Sequence, residues 1–351
     1  LIEAKPPIRL LFLSDTHLGY DAPLRPRVQR RRRGDDFYAN YLRALQPAFD
    51  REVDVVLHGG DLFFRSRVHP AIIEAAFEPL LRIADLGIPI YIVPGNHERS
   101  NIPQSLLETH PRIVIFDRPQ TRVANLGGRR LGLAGFPNIR HAPASLFKPQ
   151  LEKTGWKSCE ADIRLLCMHQ AVEGAQVGVQ NYTFRSGAGV IRGGDIPRGF
   201  DAVLSGHLHR HQVLVSDLAG KKLPAPVFYP GSTERTSFAE KNEQKGYLVL
   251  NLSAVGEKRI HHQFHPLPGR PMIDLNVSGI GFSLDQLRQI VARQIAELDE
   301  NAIVRVRAQD GDAGVLVSAL NDRWLRSVAP GTMNIGWSLP RIPGKKHSTT
   351  D

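Results

Sequence analysis

The chain has 351 residues, 42% hydrophobic and 23% charged, with a net charge of +10 at neutral pH. This is the mix of a globular protein with a sizeable core, not of a disordered or fibrous chain. The longest apolar runs, Ile8–Leu13 and Ile88–Val93, are far too short to cross a membrane, and no secretion signal opens the sequence.

The two cysteines, Cys159 and Cys167, form neither a CxxC pair nor a disulfide framework, so a reducing, cytoplasmic setting is expected. Chain position 1 is Leu1 rather than Met, which predicts a trimmed N-terminus. The positive charge favours polyanionic partners, DNA above all.

In chain order, Ile8–Ser14, Val53–His58 and Ile88–Val93 are apolar without alternation, as strands covered on both faces are. Between the first two, Phe37, Tyr38, Tyr41, Leu42, Leu45 and Phe49 recur at helical spacing; Ile72, Ile73, Ala75, Phe77, Leu80, Leu81 and Ile83 do so before the third. Strand–helix–strand repetition predicts an α/β domain. Arg112–Phe116, Arg122–Leu126 and Leu131–Gly135 come next without long helices and predict added antiparallel strands. Ile163–Met168, with Cys167 as a core residue, then Ala202–Leu204 and Pro226–Tyr229 are further strands.

A proline-rich joint, Pro266–Pro271, precedes a change of pattern. Met272–Val277 reads as a strand, Ser283 and Gln286 as the capping box of a helix running to Leu298, Ile303–Val306 as a strand, Gly314–Arg326 as one helix and Met333–Trp337 as a last strand. The division expected is residues 1–265 as the main domain, 266–340 as a small α+β module and 341–351 as a polar tail.

The chemistry lies in the residues just after the strands. Asp15 and His17 come after the first, Asp61 after the second beyond Gly59 and Gly60, and Asn96 and His97 after the third beyond Pro94 and Gly95; His169 ends the Ile163 strand, and His207 and His209 come after Ala202–Leu204, beyond Gly206. Ligands of open α/β sheets bind beyond the carboxyl ends of the strands, so separate strands deliver Asp, His and Asn to one rim. Clustered Asp and His would be costly without a cation. Imidazole and oxygen donors without thiolate suit manganese, iron or zinc, and Asp61 is the natural bridge between two ions. Two metals roughly 3.5–4 Å apart hold a phosphate, activate water and offset charge on the leaving oxygen.

These residues carry a resemblance. Asp15-Thr16-His17-Leu18-Gly19, Gly60-Asp61-Leu62-Phe63, Gly95-Asn96-His97-Glu98 and Gly206-His207-Leu208-His209 are similar to the ordered motifs of calcineurin-like metallophosphoesterases. Tyr229-Pro230-Gly231-Ser232-Thr233-Glu234-Arg235, then Lys245-Gly246-Tyr247, resembles the SbcD-type DNA repair nuclease branch. The resemblance implies a sandwich of two mixed sheets flanked by helices, with a capping domain after it. It implies one divalent ion held by Asp15, His17, Asp61 and His209 and another by Asp61, Asn96, His169 and His207, with manganese as the expected pair. It implies that His97 stabilises transition-state charge or protonates the leaving 3′-oxygen, acting near the scissile phosphate. Relatives commonly carry His or Asp where this chain has Phe64, a change that bears on exonuclease activity more than on the metals. His69, five residues on, is expected to face solvent at a helix start.

The implied function is metal-dependent endo- or 3′–5′ exonuclease cleavage of DNA in double-strand break repair and hairpin processing. The implied assembly is a homodimer with an SbcC-like coiled-coil ATPase, and with little chain after Trp337 the partner-binding segment is expected to be missing. Arg25, Arg27, Arg30, Arg31, Arg32 and Arg33 form a basic stretch expected to clamp phosphates, with Arg99 and Arg140 as weaker candidates. His58 is expected to support the site from inside its strand, and His211, His261, His262 and His265 to lie on the surface. Two other readings compete: a small-molecule phosphatase or cyclic-nucleotide phosphodiesterase on the same core, and a DNA-binding scaffold with an idle site.

Overall fold

A computed structural model describes residues 6–24, 28–98, 110–253 and 259–338. The chain divides into two compact units. One holds the chain up to Tyr20 together with Gly34–Gly269; the other holds Asp21–Arg33 and the chain from Arg270 onward.

The elements of the first unit are β1 (Ile8–Leu13), α1 (Arg33–Phe49), β2 (Val55–His58), α2 (Pro70–Asp85), β3 (Ile90–Ile92), β4 (Ile113–Ile115), β5 (Gln120–Leu126), β6 (Arg129–Gly135), α3 (Pro143–Lys153), β7 (Ile163–His169), β8 (Gln176–Val177), β9 (Tyr182–Thr183), β10 (Ala202–Gly206), β11 (Gln212–Ser216), β12 (Lys222–Tyr229), β13 (Gly246–Leu252) and β14 (Ile260–Pro266). Two six-stranded sheets result, in the orders β14-β13-β1-β2-β3-β4 and β11-β12-β10-β7-β6-β5. Strands β1 to β4 run parallel, as do β6, β7, β10 and β12. Antiparallel β13–β14 and the single strands β5 and β11 extend the edges.

The alternation of a strand explains the layers, since successive side chains face opposite ways. Leu10, Phe12, Val55 and Leu57 meet Leu131, Leu133, Leu165, Cys167, Leu204 and Phe228 in a core between the sheets. Leu11, Leu13 and Val56 face outward and pack under Tyr41, Leu45, Phe77 and Leu80 of the two helices. Leu166, Met168 and Val203 face outward on the other sheet and pack with Phe147, Leu151 and Trp156. The result is the expected α/β sandwich of two mixed sheets flanked by helices.

Several expectations need correction. Of the strands expected to be antiparallel additions, β4 is parallel to β3, and β6 is parallel to β7 while forming a hairpin with β5. Helix α3 and strands β11, β13 and β14 are not among the elements expected from the sequence. In β14 the histidines at 261, 262 and 265 blur the apolar alternation; of these, His261 and His262 are exposed, while His265 is half-buried and stacks on Tyr247. His211 is also half-buried, stacked on Phe264 with ring centroids 4.3 Å apart.

The second unit has a three-stranded parallel sheet, β15 (Met272–Ser278), β16 (Ile303–Asp310) and β17 (Asn334–Ser338), with α4 (Leu284–Ala296), α5 (Ala313–Ala319) and α6 (Asp322–Val328). The predicted capping box is present: Ser283 Oγ accepts from Gln286 N–H and the Gln286 side chain accepts from Ser283 N–H. The single helix expected over 314–326 is two helices. Asn321 turns its side chain to the N–H of Trp324 and opens a new helix, as a short polar side chain does when it competes for backbone donors. Residues 341–351 lie outside the described residues.

Residues 21–33 belong with this second unit, not with the main domain to which their sequence position assigns them. Arg30 is the reason. Its guanidinium donates to the carbonyls of Pro330, Met333 (2.9 Å), Arg326 and Ala329 (3.2 Å), which closes the end of α6. Arg31 N–H donates to Gly331 O, and Asn334 Nδ2 donates to Arg31 O.

Candidate metal centre

Every predicted ligand sits at or just beyond the carboxyl end of a parallel strand. The β1 and β2 ends are tied together by backbone: Asp15 N–H donates to Gly60 O (2.8 Å), His17 N–H to Asp61 O (3.0 Å) and Leu18 N–H to Leu62 O (2.8 Å). In the second sheet His169, last residue of β7, pairs in register with Gly206, last residue of β10. The two rims face one another, and Gly206 would place a Cβ 2.3 Å from Gly59 O.

The backbone is strained where the donors are. Asp15, His17, Asp61 and His207 have φ of 52°, 47°, 52° and 86°. Left-handed backbone at a residue with a side chain costs roughly 1–3 kcal/mol and persists only where the surroundings enforce it. Two glycines make the convergence possible. A Cβ on Gly95 would lie 2.2 Å from Asp61 Oδ1, and one on Gly60, itself at φ +110°, would lie 2.3 Å from His169 Nδ1.

The side chains meet in overlapping groups. Asp15, His17 and His209 bring ligand atoms within 4.8 Å of one another, as do Asp15, Asp61 and His169. His17 Nε2 lies 2.9 Å from His209 Nε2. Asn96 Oδ1 lies 3.0 Å from His169 Nε2 and 2.9 Å from His207 Nδ1, and Asp61 Oδ2 lies 3.4 Å from His169 Nε2. Asp61 also belongs to a group with His17 and His97, in keeping with a central bridging place. All seven predicted ligands therefore converge.

The hydrogen bonds behind these atoms fix which nitrogen faces inward. His169 Nδ1 donates to Gly59 O (2.8 Å), which turns Nε2 to the centre. His209 Nδ1 donates to Glu240 Oε1 (3.1 Å), with the same result. His58 faces away: Gly60 N–H donates to its Nδ1, so Nε2 carries the proton and donates to Thr16 Oγ1 (3.0 Å), which in turn donates to Leu62 O. It links two loops as expected of a supporting residue, and burial pushes its pKa down to about 3.

The donor set fits divalent cations. Buried lone pairs of Asp15, His17, Asp61 and His169, with partly buried His209 beside them, point at each other with too few protons between them, and His17 Nδ1 has no hydrogen-bond partner among the described residues. Without metal, a proton takes up part of the strain. Burial alone would lower His169, but the Asp61 carboxylate raises it to about 9. Burial alone would raise Asp61, but His169 holds it well below the usual carboxylate range. Burial raises Asp15, with neighbouring Asp61 acting the same way. His207, partly buried beside His169, is pushed down by desolvation to about 3 and offers a neutral ligand atom.

His97 lies on the open side, its side chain 33% exposed. Its N–H donates to Asp61 Oδ1 (2.9 Å) and its Nδ1 donates to Phe64 O (2.6 Å), leaving Nε2 on the side of Asp61 Oδ2, 3.8 Å away. The Phe64 ring packs edge-on against His17 and Tyr20 and tilted over His97, so it walls this side. His69 caps α2 and is exposed, as expected.

Sequence reasoning gave no role to two carboxylates. Glu98, buried, accepts from Phe63 N–H (2.6 Å) and Gly95 N–H (2.8 Å), clasping the second and third loops; burial, with Asp61 nearby, pushes it up to about 8. Its place directly after Gly95-Asn96-His97 was the available signal. Glu240, behind His209, has no such signal, since thirty-one residues separate the two.

The described arginines of the basic stretch have partners within the protein or are buried. Arg30 is committed to carbonyls, Arg32 pairs with Asp21, and Arg33 is buried. Arg31 is exposed and donates to Asn301 Oδ1 (3.1 Å). Arg25, Arg27 and Arg99 lie outside the described residues; Arg140 is exposed.

The family model of the calcineurin-like phosphoesterases matches residues 8–211, the span that holds every one of these ligands. The chain belongs to that family. Membership places it among phosphoester-hydrolysing enzymes, with a His/Asp cluster suited to two metal ions. Within curated proteins it is similar to the DNA double-strand break repair protein Mre11 of Methanosarcina acetivorans, 25% identical over 92% of this chain and 52% of that protein. The Mre11 of Sulfolobus acidocaldarius is 25% identical over 84% of this chain and 71% of its own length. That of Haloferax volcanii is 28% identical over 90% and 67%. The chain thus spans about half the length of the Methanosarcina relative. No helix among the described residues is long and apolar enough to cross a membrane.

Proposed function

We propose that this phosphoesterase is a metal-dependent DNA nuclease, endonucleolytic, 3′–5′ exonucleolytic or both, acting in double-strand break repair as the nuclease subunit of an SbcCD-like complex. The carrying observation is the convergence of seven acceptor side chains on one rim, in a chain whose curated relatives are named for DNA double-strand break repair. Asp15, His17, Asp61 and His209 would hold one ion, and Asp61, Asn96, His169 and His207 the other, with manganese as the expected metal. When bound, such a pair orients a phosphodiester, supplies an activated water and offsets charge on the leaving oxygen.

The chain's own residues do the rest. Gly59 O and Glu240 hold the His169 and His209 rings in one tautomer. Phe64 O fixes the His97 ring by accepting from Nδ1–H, so that Nε2 reaches the open side; as the imidazolium, with a second proton on Nε2 taken from solvent, His97 gives that proton to the departing 3′-oxygen or offsets its charge. Phe64 itself moves no proton, so proton transfer on this side rests on His97. The second unit acts as the capping domain, and a homodimer with an SbcC-like ATPase in the cytoplasm is the proposed assembly.

The test uses circular single-stranded DNA, a DNA hairpin and nitrophenyl phosphate, each with manganese. Cleavage of the circle and hairpin is expected. Turnover confined to the small ester would replace this reading with that of a small-molecule phosphatase.

A further inference from the structure

The candidate ligand histidines are not held alike. His169 leans on a backbone carbonyl, and His17 Nδ1 has no partner among the described residues. Among these residues His209 alone is backed by a carboxylate, and that carboxylate is hydrogen-bonded at one oxygen and ion-paired at the other. Glu240 Oε1 accepts from His209 Nδ1 (3.1 Å), Thr236 Oγ1 (2.7 Å) and Ser237 Oγ (3.3 Å), while Oε2 lies 2.7 Å from Lys245 Nζ.

Lys245 is 4% exposed, and its ammonium also donates to the backbone carbonyl of His209 (2.8 Å) and to Glu243 (3.0 Å). Glu243 in turn accepts from Arg210, the residue after His209 (3.0 Å). One lysine therefore ties down both the main chain of His209 and the carboxylate that aims its ring. Burying such an array is expensive, and apolar packing would usually be as stable or more so. A carboxylate hydrogen-bonded behind an imidazole fixes its tautomer and orientation and raises its strength as a ligand.

We infer that Glu240, held by Lys245, is a positioning residue for His209 and sets the affinity of the metal position shared by Asp15, His17 and His209 separately from that of the other. The inference rests on the two-metal reading above. Among the described residues, the Asn96–His169–His207 group has no side-chain carboxylate behind its imidazoles, so removing the Glu240 charge acts on one position only.

The experiment is a calorimetric manganese titration of the full chain after chelator treatment, for the native protein, Glu240→Gln, Glu240→Ala and Glu240→Asp. Thermal melting of the metal-free proteins checks the fold, and Glu240→Asp, which keeps the charge, decides the matter if the others do not fold. Two ions are expected in the native protein. Glu240→Gln and Glu240→Ala should weaken one of them by about 10–100-fold and leave the other as it was, with Glu240→Asp in between. DNA cleavage should be lost at limiting manganese and return at saturating manganese, which a general structural defect would not allow. Two ions bound with native affinity in the variants, or both weakened together, would overturn the inference while leaving the metal centre standing. A native protein that takes up no pair of ions would sink the two-metal reading, and this inference with it.

Discussion

The histidine and aspartate loops and the arginine stretch are both dense polar clusters, yet the molecule treats them in opposite ways. In the loops, acceptors are aimed at each other over strained backbone, and the few backbone and hydroxyl donors nearby relieve only part of the crowding at the centre. In the stretch, Arg30 has committed its guanidinium to four carbonyls and Arg32 has paired with Asp21. The lesson is that density of charge does not make a site. A site is a set of groups whose demand for a partner the protein itself leaves unmet.

The largest effect expected from this contrast is at Asp61, the residue shared by both halves of the centre. Asp61→Ala should lose both ions, seen by elemental analysis, and all DNA cleavage with them. If the variant kept two ions, the bridging role would be wrong. His97→Ser comes next: a drop in cleavage of about 10²–10⁴-fold with native metal content and DNA affinity. Turnover that survived this change would refute the proton-transfer role.

Two raised groups act in the same direction on the pH response, His169 and, through its burial, Glu98 at about 8. The pKa of His169 in the metal-free protein is raised to about 9 by Asp61, against an ordinary value near 6.5. The extra stability of the protonated ring is fully present below about 6.5 and is lost as pH rises through about 9. The chelator-treated protein should therefore melt at lower temperature at pH 9 than at pH 6.5. Over the same window metal binding should release protons in weakly buffered solution and tighten as pH rises. Proton uptake on metal binding would contradict the ligand assignment of His169.

The smallest effects sharpen the arginine side of the contrast. Arg30→Ala should cost about 1.5–3 kcal/mol of stability for a charged donor removed from its carbonyls, read by denaturant unfolding, with the salt dependence of DNA binding unchanged. Arg31→Ala should do the reverse if its exposed guanidinium meets a phosphate, lowering the slope of log K against log salt by about 1. A lowered slope for Arg30→Ala would restore the phosphate clamp first expected of it.

Much of the first unit was legible in the sequence because its strands are buried on both faces and read as unbroken apolar runs, each ending at Gly, Asp, His or Asn. Periodicity and the residue that comes after a strand are local properties, and they were enough to name Asp15, His17, Asp61, Asn96, His169 and the His207–His209 pair as one rim. Strand direction was less legible: β4 and β6 were expected to be antiparallel, and their pairing is decided by where the chain crosses over, not by composition. The edge strand β14 was hidden for a different reason, since its histidines interrupt the apolar alternation.

What the sequence determined by itself was the order of donors and the strands that carry them, because both arise from short-range pattern. What only the tertiary structure decided was which groups answer one another across the chain. Glu240 reaches His209, Arg30 reaches the end of α6 some three hundred residues away, and Glu98 clasps two loops at once. Those pairings depend on burial and hydrogen-bond geometry, which assign a charged side chain to a carbonyl, a proton or a metal ion only once the fold has brought its neighbours in.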